Sequence, residues 1–249
     1  MYQYMSTTTT ATNLIGIDTE KKKEEKKKNP VQYYVKASFV LTYILLLTTG
    51  TITFIEALRT PIPEFRHIMN LETAISLIAG YFYSTFVLQI NQFDKDDTPI
   101  DWKDITKTRY IDWSITTPIM LLVLCSVLGL NSKIKVKWYT ILSVIVLNYV
   151  MLYTGYLGET GALERTIAMA LGFVAFFIMF FIIYAIFVLP KYTYLNYVVF
   201  SIFVAIWGVY GIVYMMNEEY KNISMNILDC IAKCFVGIGL WVYYTRVIT

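Results

Sequence analysis

Seven apolar runs alternate along the chain with short polar breaks. They fall at about 33–58, 69–91, 108–130, 135–156, 164–189, 193–216 and 223–247. Each holds roughly 20 residues or more, and a helix of that length, rising 1.5 Å per residue, crosses a hydrocarbon core of about 30 Å. The breaks carry helix-stopping chemistry. Pro61 and Pro63 follow the first run, Asn131-Ser132 with Lys133, Lys135 and Lys137 follow the third, and Gly158 to Gly161 follow the fourth. Pro190-Lys191 follows the fifth, and Asn217-Glu218-Glu219 follows the sixth. The pattern predicts an all-α membrane protein, a seven-transmembrane-helix bundle over residues 31–249. A polar tail at 1–30 precedes it, where Lys21 to Lys28 read KKKEEKKK, a charge run expected to stay solvated.

Composition strengthens this reading. Hydrophobic residues make up 57% of the 249 and charged residues 16%, with a mean hydropathy of +0.53. A soluble domain of this size cannot bury so much apolar surface, so the expected surroundings are a lipid bilayer. The net charge of +3 comes with no basic stripe, and no nucleic-acid partner is expected. Cys125, Cys230 and Cys234 all lie in apolar runs and His67 is the sole histidine. Packing, rather than a disulfide framework or a metal site, is the expected role of these cysteines. The N-terminus has no apolar core of the kind a cleavable signal peptide needs.

Seven spans put the two termini on opposite sides. Arg59, Arg66, Lys133, Lys135, Lys137, Lys191 and Arg246 share one side, and the acidic stretch with Asp94, Asp96, Asp97, Asp101 and Asp104 lies on the other. The positive-inside rule then places the N-terminus outside and the C-terminus in the cytoplasm, with the lysine-rich tail pulling the opposite way.

Charges inside the apolar runs change the picture most. Asp229 and Lys233 stand four residues apart in the seventh run, on one helix face. Either charge alone at a bilayer centre costs roughly 2.5–3.5 kcal/mol on insertion scales, which makes such residues functional candidates. Arg109, Asp112 and Thr116 line one face of the third run at i, i+3 and i+7. Two cations and two anions at overlapping depth can neutralise one another in a bundle interior, as a structural quartet or as a working site.

These residues resemble the microbial (type I) rhodopsins. The resemblance covers residues 33–249 and rests on RYxDWxxTTP at Arg109–Pro118 and on the DxxxK pair Asp229/Lys233, followed by the small Gly237. It implies all-trans retinal bound to Lys233 as a protonated Schiff base. Asp112 would be the counterion and proton acceptor, Asp229 the second carboxylate, and Arg109 a neighbour one turn toward the outside. Trp113 and Trp207 would enclose the polyene, and Tyr83 and Tyr210 would hydrogen-bond Asp229. Met151 and Gly155 would flank the ring, with Gly172 and Phe176 near its end. Thr117 and Asn148 resemble the pair on the third and fourth helices that sets photocycle kinetics. Gly211 and Tyr214 depart from the family's pumps, which commonly carry proline and tryptophan there, and this bears on the ring environment.

Within that family the job must be read from the site. Eleven residues beyond Asp112, three turns along the same face, pumps carry the acid that returns the proton; here it is Val123. Elsewhere, Glu56 continues a stripe with Thr49 and Thr53, and Glu72 shares a face with Ser76 and Tyr83. Asn222 and Asn226 extend the face of Asp229 and Lys233. Such stripes suit a hydrated cation path. The first two spans look most like group 1 viral rhodopsins, which implies a light-gated cation channel passing monovalent cations. A light-driven outward proton pump is the runner-up, and a sensory rhodopsin the third reading. No soluble catalytic domain accompanies the spans, so no enzyme is expected. An external Ca2+ effect at the acidic stretch and Glu218/Glu219 is entertained, although their spacing matches no defined calcium loop. A homo-oligomer is compatible with the sequence.

Overall fold

The computed structural model describes residues 30–96 and 98–247. The polar tail expected at 1–30 lies, apart from Pro30, outside the described residues. Helices α1 (Pro30–Arg59), α2 (Pro63–Asp96), α3 (Trp102–Ser132) and α4 (Trp138–Glu159) form the first four spans. The fifth is α5 (Arg165–Ile183) with a π-helical turn at Tyr184–Val188, and the sixth is α6 (Tyr194–Val213). The seventh is α7 (Glu218–Asp229), a π-helical segment (Cys230–Phe235) and α8 (Val236–Val247). All seven are long and apolar enough to cross a membrane, which makes the chain an integral, multi-pass membrane protein.

Four spans start earlier than the hydropathy pattern predicts: α1 at Pro30 rather than 33, α2 at Pro63 rather than 69, α3 at Trp102 rather than 108, and the seventh at Glu218 rather than 223. Hydropathy reports the hydrocarbon-matched part of a helix, whereas capping decides where it begins. Proline fits a first helical position because its missing N–H would be unpaired there anyway. Asp101 caps α3, its Oδ1 accepting from the backbone N–H of Lys103 at 2.9 Å and of Asp104 at 3.2 Å. At the far end of α3, Lys133 turns the chain at φ +61°.

Because the spans alternate in direction, the bundle has two ends. The N-side carries the start of α1, Asp101, Glu159 and Glu218; the C-side carries Arg59, Pro63, Lys133 and the end of α8. The third helix is the most enclosed. In its most apolar stretch 61% of residues are buried, against 17% for α4 and 22% for α6. Side chains on the outer surface such as Leu41, Phe54, Leu88, Phe177 and Phe181 are exposed, which suits lipid as the surrounding solvent. Toward the C-side, Leu121, Val123, Leu124, Val127, Phe180 and Phe187 pack as one apolar cluster.

Pro118 inside α3 has no N–H to give the carbonyl of Ser114, four residues back. That carbonyl accepts instead from the Tyr149 hydroxyl of α4 at 3.0 Å. A neighbouring helix thus satisfies the freed backbone group, as a span in lipid requires.

Candidate functional site

At mid-bundle, the π-helical segment of the seventh span brings Lys233 to α3. Its Nζ lies 2.9 Å from Asp112 Oδ2 and 3.3 Å from Asp229 Oδ2, with all three side chains buried. Insertions of this helical type recur at functional sites, and nothing in the apolar periodicity signals this one. Asp229 is held from several directions. The Tyr210 hydroxyl donates to Oδ1 at 2.6 Å, the Tyr83 hydroxyl donates to Oδ2 at 2.7 Å, and Arg109 Nη1 approaches Oδ2 at 3.8 Å.

Arg109 is itself buried on the N-side of this group. Its Nη2 donates to Asn222 Oδ1 at 3.0 Å and to Asn226 Oδ1 at 2.8 Å. Its guanidinium lies 5.1 Å from the centre of the Phe86 ring and 5.3 Å from that of Phe39. Thr116 Oγ1 donates to the Asp112 carbonyl at 2.9 Å and lies 3.4 Å from Asp112 Oδ1. Arg109 and Lys233 balance Asp112 and Asp229 in charge, which is what allows four ionisable groups to sit together out of water.

Beside Lys233 opens a cavity whose walls are almost wholly apolar. Trp113 and Tyr110 form its N-side, Trp207 and Phe176 face it from α6 and α5, and Met151 and Gly155 approach from α4. Asp229 and Lys233 supply its charged end. Trp113 meets Tyr210 edge-on at 5.5 Å, and Trp207 meets Phe180 edge-on at 5.8 Å, so both indoles are fixed by neighbours. Gly155 is required by close approach: a Cβ there would come to 2.8 Å from the Tyr110 hydroxyl. Gly172 also lines the cavity. The two positions that depart from the pump pattern have local explanations. A Cβ on Gly211 would overlap the Phe173 ring, and Tyr214 donates its hydroxyl to the Gly155 carbonyl at 3.1 Å.

Thr117 and Asn148 do meet. Asn148 Nδ2 donates to Thr117 Oγ1 at 2.9 Å, and Thr117 Oγ1 donates to the Trp113 carbonyl at 2.6 Å.

The candidate ion-path residues divide into two groups. Asn222 and Asn226 belong to the Arg109 network on the N-side. On the C-side, Glu72 is 3% exposed and has no hydrogen-bond or ion-pair partner among the described residues. It lies against Gly237, where a Cβ would stand 2.9 Å from Glu72 Oε2 and 3.3 Å from Thr49 Cγ2. Among the described residues, Thr49 Oγ1 and Ser76 Oγ are buried without hydrogen-bond partners. Gly237 comes four residues after Lys233, so this polar cluster stands about one turn, ~6 Å, on the C-side of the amine. Glu56 is engaged differently, accepting from Trp241 Nε1 of α8 at 3.2 Å. Val123 is buried in the apolar cluster of α3 and its neighbours.

Of the acidic stretch, Asp94 pairs with Lys36 at 2.9 Å and Asp101 caps α3. Among the described residues no three His, Cys, Asp or Glu side chains cluster closely enough to hold a metal ion. Sequence reasoning missed an N-side clasp. Lys221, 2% exposed, donates to Glu159 Oε2 at 2.8 Å and to Glu218 Oε1 at 2.8 Å, and Arg165 reaches Glu159 Oε2 at 3.0 Å. Its members come from α4, α5 and α7, so no local spacing reveals it.

A seven-helix membrane protein with a buried lysine between two carboxylates, at the wall of an aromatic cavity, has the architecture of a microbial rhodopsin. The chain belongs to the bacteriorhodopsin-like protein family, whose profile matches residues 34–247. The viral rhodopsin OLPVRII is 40% identical, with a TM-score of 0.79 over 86% of this chain and 99% of that one. The proton pump LR (Mac) from Leptosphaeria maculans shares the fold at 20% identity, TM-score 0.68, over 86% and 97% of the two chains. The opsin-like protein carO of Fusarium fujikuroi is 30% identical over 122 residues. That match spans 45% of this chain and 38% of that relative's length. The protein is therefore a microbial rhodopsin close to the viral rhodopsins, in a family of photoreceptors, pumps and channels whose chromophore is retinal. The residues present fit that chromophore: an apolar, aromatic-walled cavity ends on a single amine whose charge two carboxylates balance.

Proposed function

We propose that Lys233 binds retinal covalently as a protonated Schiff base and that the protein is a light-driven outward proton pump. The carrying observation is Glu72: a buried acid with no partner among the described residues, about one turn to the C-side of Lys233, with Asp112 and Asp229 on the amine's other flank. The sequence argument against pumping was the lack of an acid at Val123 on α3. Glu72 offers one from α2 instead.

Bound retinal supplies light-driven isomerisation. The protein's own groups handle the proton. Asp112, with Oδ2 at 2.9 Å from Nζ, accepts it. Asp229 stays ionised because Tyr83 and Tyr210 donate to it and Arg109 stands beside it. Arg109, tied to Asn222 and Asn226, is placed to steer the displaced charge toward the N-side. Glu72 then returns a proton to Nζ from the C-side, across the region lined by Thr49 and Ser76. Trp113, Trp207, Met151 and Gly155 confine the polyene, and the Thr117–Asn148 pair couples α3 to α4 behind it.

A light-gated cation channel is the second reading. The orphaned hydroxyls of Thr49 and Ser76 beside Glu72 favour it, because buried polar groups of this kind call for water. Glu56 would then be a rim carboxylate released from Trp241. The positive C-side supports a cytoplasmic C-terminus under either reading. Photocurrents recorded under voltage clamp separate the two. Current that stays outward across voltages supports the pump, whereas a reversal potential that tracks the cation gradient overturns it in favour of the channel.

A further inference from the structure

A second cleft lies at the C-side membrane boundary, far from the lysine–carboxylate group. It is about 380 Å³ in volume, between the first turns of α2 and the loop that follows α3. Lys133, Lys135, His67 and Glu64 line it, and Ile68, Leu130, Ile134 and Val136 give it an apolar wall.

The loop is built to hold this shape. The Ile134 N–H donates to the Gly129 carbonyl at 2.9 Å and the Lys133 N–H to the Leu130 carbonyl at 3.3 Å, so the chain folds straight back on α3. Gly129 permits the approach, since a Cβ there would come to 2.8 Å from the Ile134 carbonyl. Lys133 occupies the left-handed region at φ +61°, where glycine or asparagine is the usual helix-ending residue. A long cationic side chain thus sits at a position that favours a small one, and it does so in the lining of the cleft.

Two ammonium groups and an imidazole N–H face one carboxylate, so the lining favours an anion. The apolar wall and the position at the end of the spans favour an anion that carries a hydrocarbon chain. Arg59, Arg66, Lys137 and Lys191 crowd the same end of the bundle, and basic pockets between spans at such a face suit anionic headgroups. We propose that this cleft binds the phosphate of an anionic phospholipid of the C-side leaflet, between Lys133, Lys135 and His67, with an acyl chain over Ile68 and Val136. Glu64 limits the bound charge by repelling a second phosphate.

The test is native mass spectrometry of the full chain released from mixed micelles of phosphatidylglycerol and phosphatidylcholine, which reads lipid retention whether or not pigment has formed. Wild type is expected to retain phosphatidylglycerol selectively. Lys135→Gln should weaken that retention about fivefold, and Lys133→Asn, which keeps a residue suited to positive φ, by a similar factor. Lys191→Gln, on the same face but outside the cleft, should leave it unchanged. Equal retention of the two lipids by wild type would overturn the proposal. So would a loss in Lys191→Gln as large as in Lys135→Gln, which would mark a diffuse surface effect. Displacement of phosphatidylglycerol by an equal concentration of inorganic phosphate would also refute it, assigning the cleft to a soluble anion.

Discussion

Asp112 and Asp229 flank the same Lys233 amine, at 2.9 Å and 3.3 Å, but the two carboxylates meet otherwise different surroundings. Asp229 accepts from Tyr83 and Tyr210 and has Arg109 beside it, while Asp112 has only Thr116 Oγ1, at 3.4 Å from Oδ1. Hydrogen bonds and a nearby cation stabilise the charged form of a carboxylate. Asp112 is therefore the less engaged of the two carboxylates, although it is Asp229 that shares the helical segment of the lysine.

That difference predicts how two substitutions diverge. Asp112→Asn should abolish light-induced proton transfer from Lys233 while the pigment still assembles. Asp229→Asn should chiefly weaken the protein, because it leaves Arg109 without its buried carboxylate partner; removal of one member of such a pair costs about 3–5 kcal/mol. Flash spectroscopy reads the first and thermal loss of the pigment band reads the second. Equal effects on both readouts would contradict the asymmetry.

Lys233→Ala should give a folded protein with no visible absorbance after retinal is added. A visible band in that variant would show that the chromophore is attached elsewhere.

Glu72→Gln should slow return of the proton to Lys233 by tenfold or more, since general acid catalysis is worth about 10²–10⁴. Recovery in the variant should also track bulk proton concentration, slowing as pH rises, while the first proton transfer to Asp112 keeps its rate. Transient absorbance across a pH series checks both, and unchanged recovery would remove Glu72 from the path.

Lys221→Met should lower stability by about 3–5 kcal/mol, because it leaves the buried Glu159 with Arg165 as its one remaining charged partner. Lys221→Met combined with Glu159→Leu should recover much of that loss. Thermal melts of the two variants decide the matter.

The sequence made the seven spans readable because lipid imposes a simple requirement, an apolar helix of fixed length. It also exposed Arg109, Asp112, Asp229 and Lys233, since charge stands out against hydrocarbon. The exact starts of α2 and α3 were hidden, because Pro63 and Asp101 set them through capping outside the apolar stretch. The role of Glu72 was only half legible. Its face was apparent, but its lack of a partner among the described residues and its contact with Gly237 depend on how α1, α2 and the seventh span pack. Trp241 holding Glu56, and Lys221 holding Glu159, arise between distant segments and leave no periodic trace.

The four central charges arrive as two pairs, and each pair belongs to one span. Arg109 and Asp112 are three residues apart on α3, and Asp229 and Lys233 four apart on the seventh span. Each segment can therefore enter the membrane before the other is available to neutralise it. With opposite charges within one turn, each span carries a net charge of zero at its polar centre throughout that passage. The interhelical contact between Lys233 and Asp112 joins the Lys233–Asp229 pair when the bundle closes.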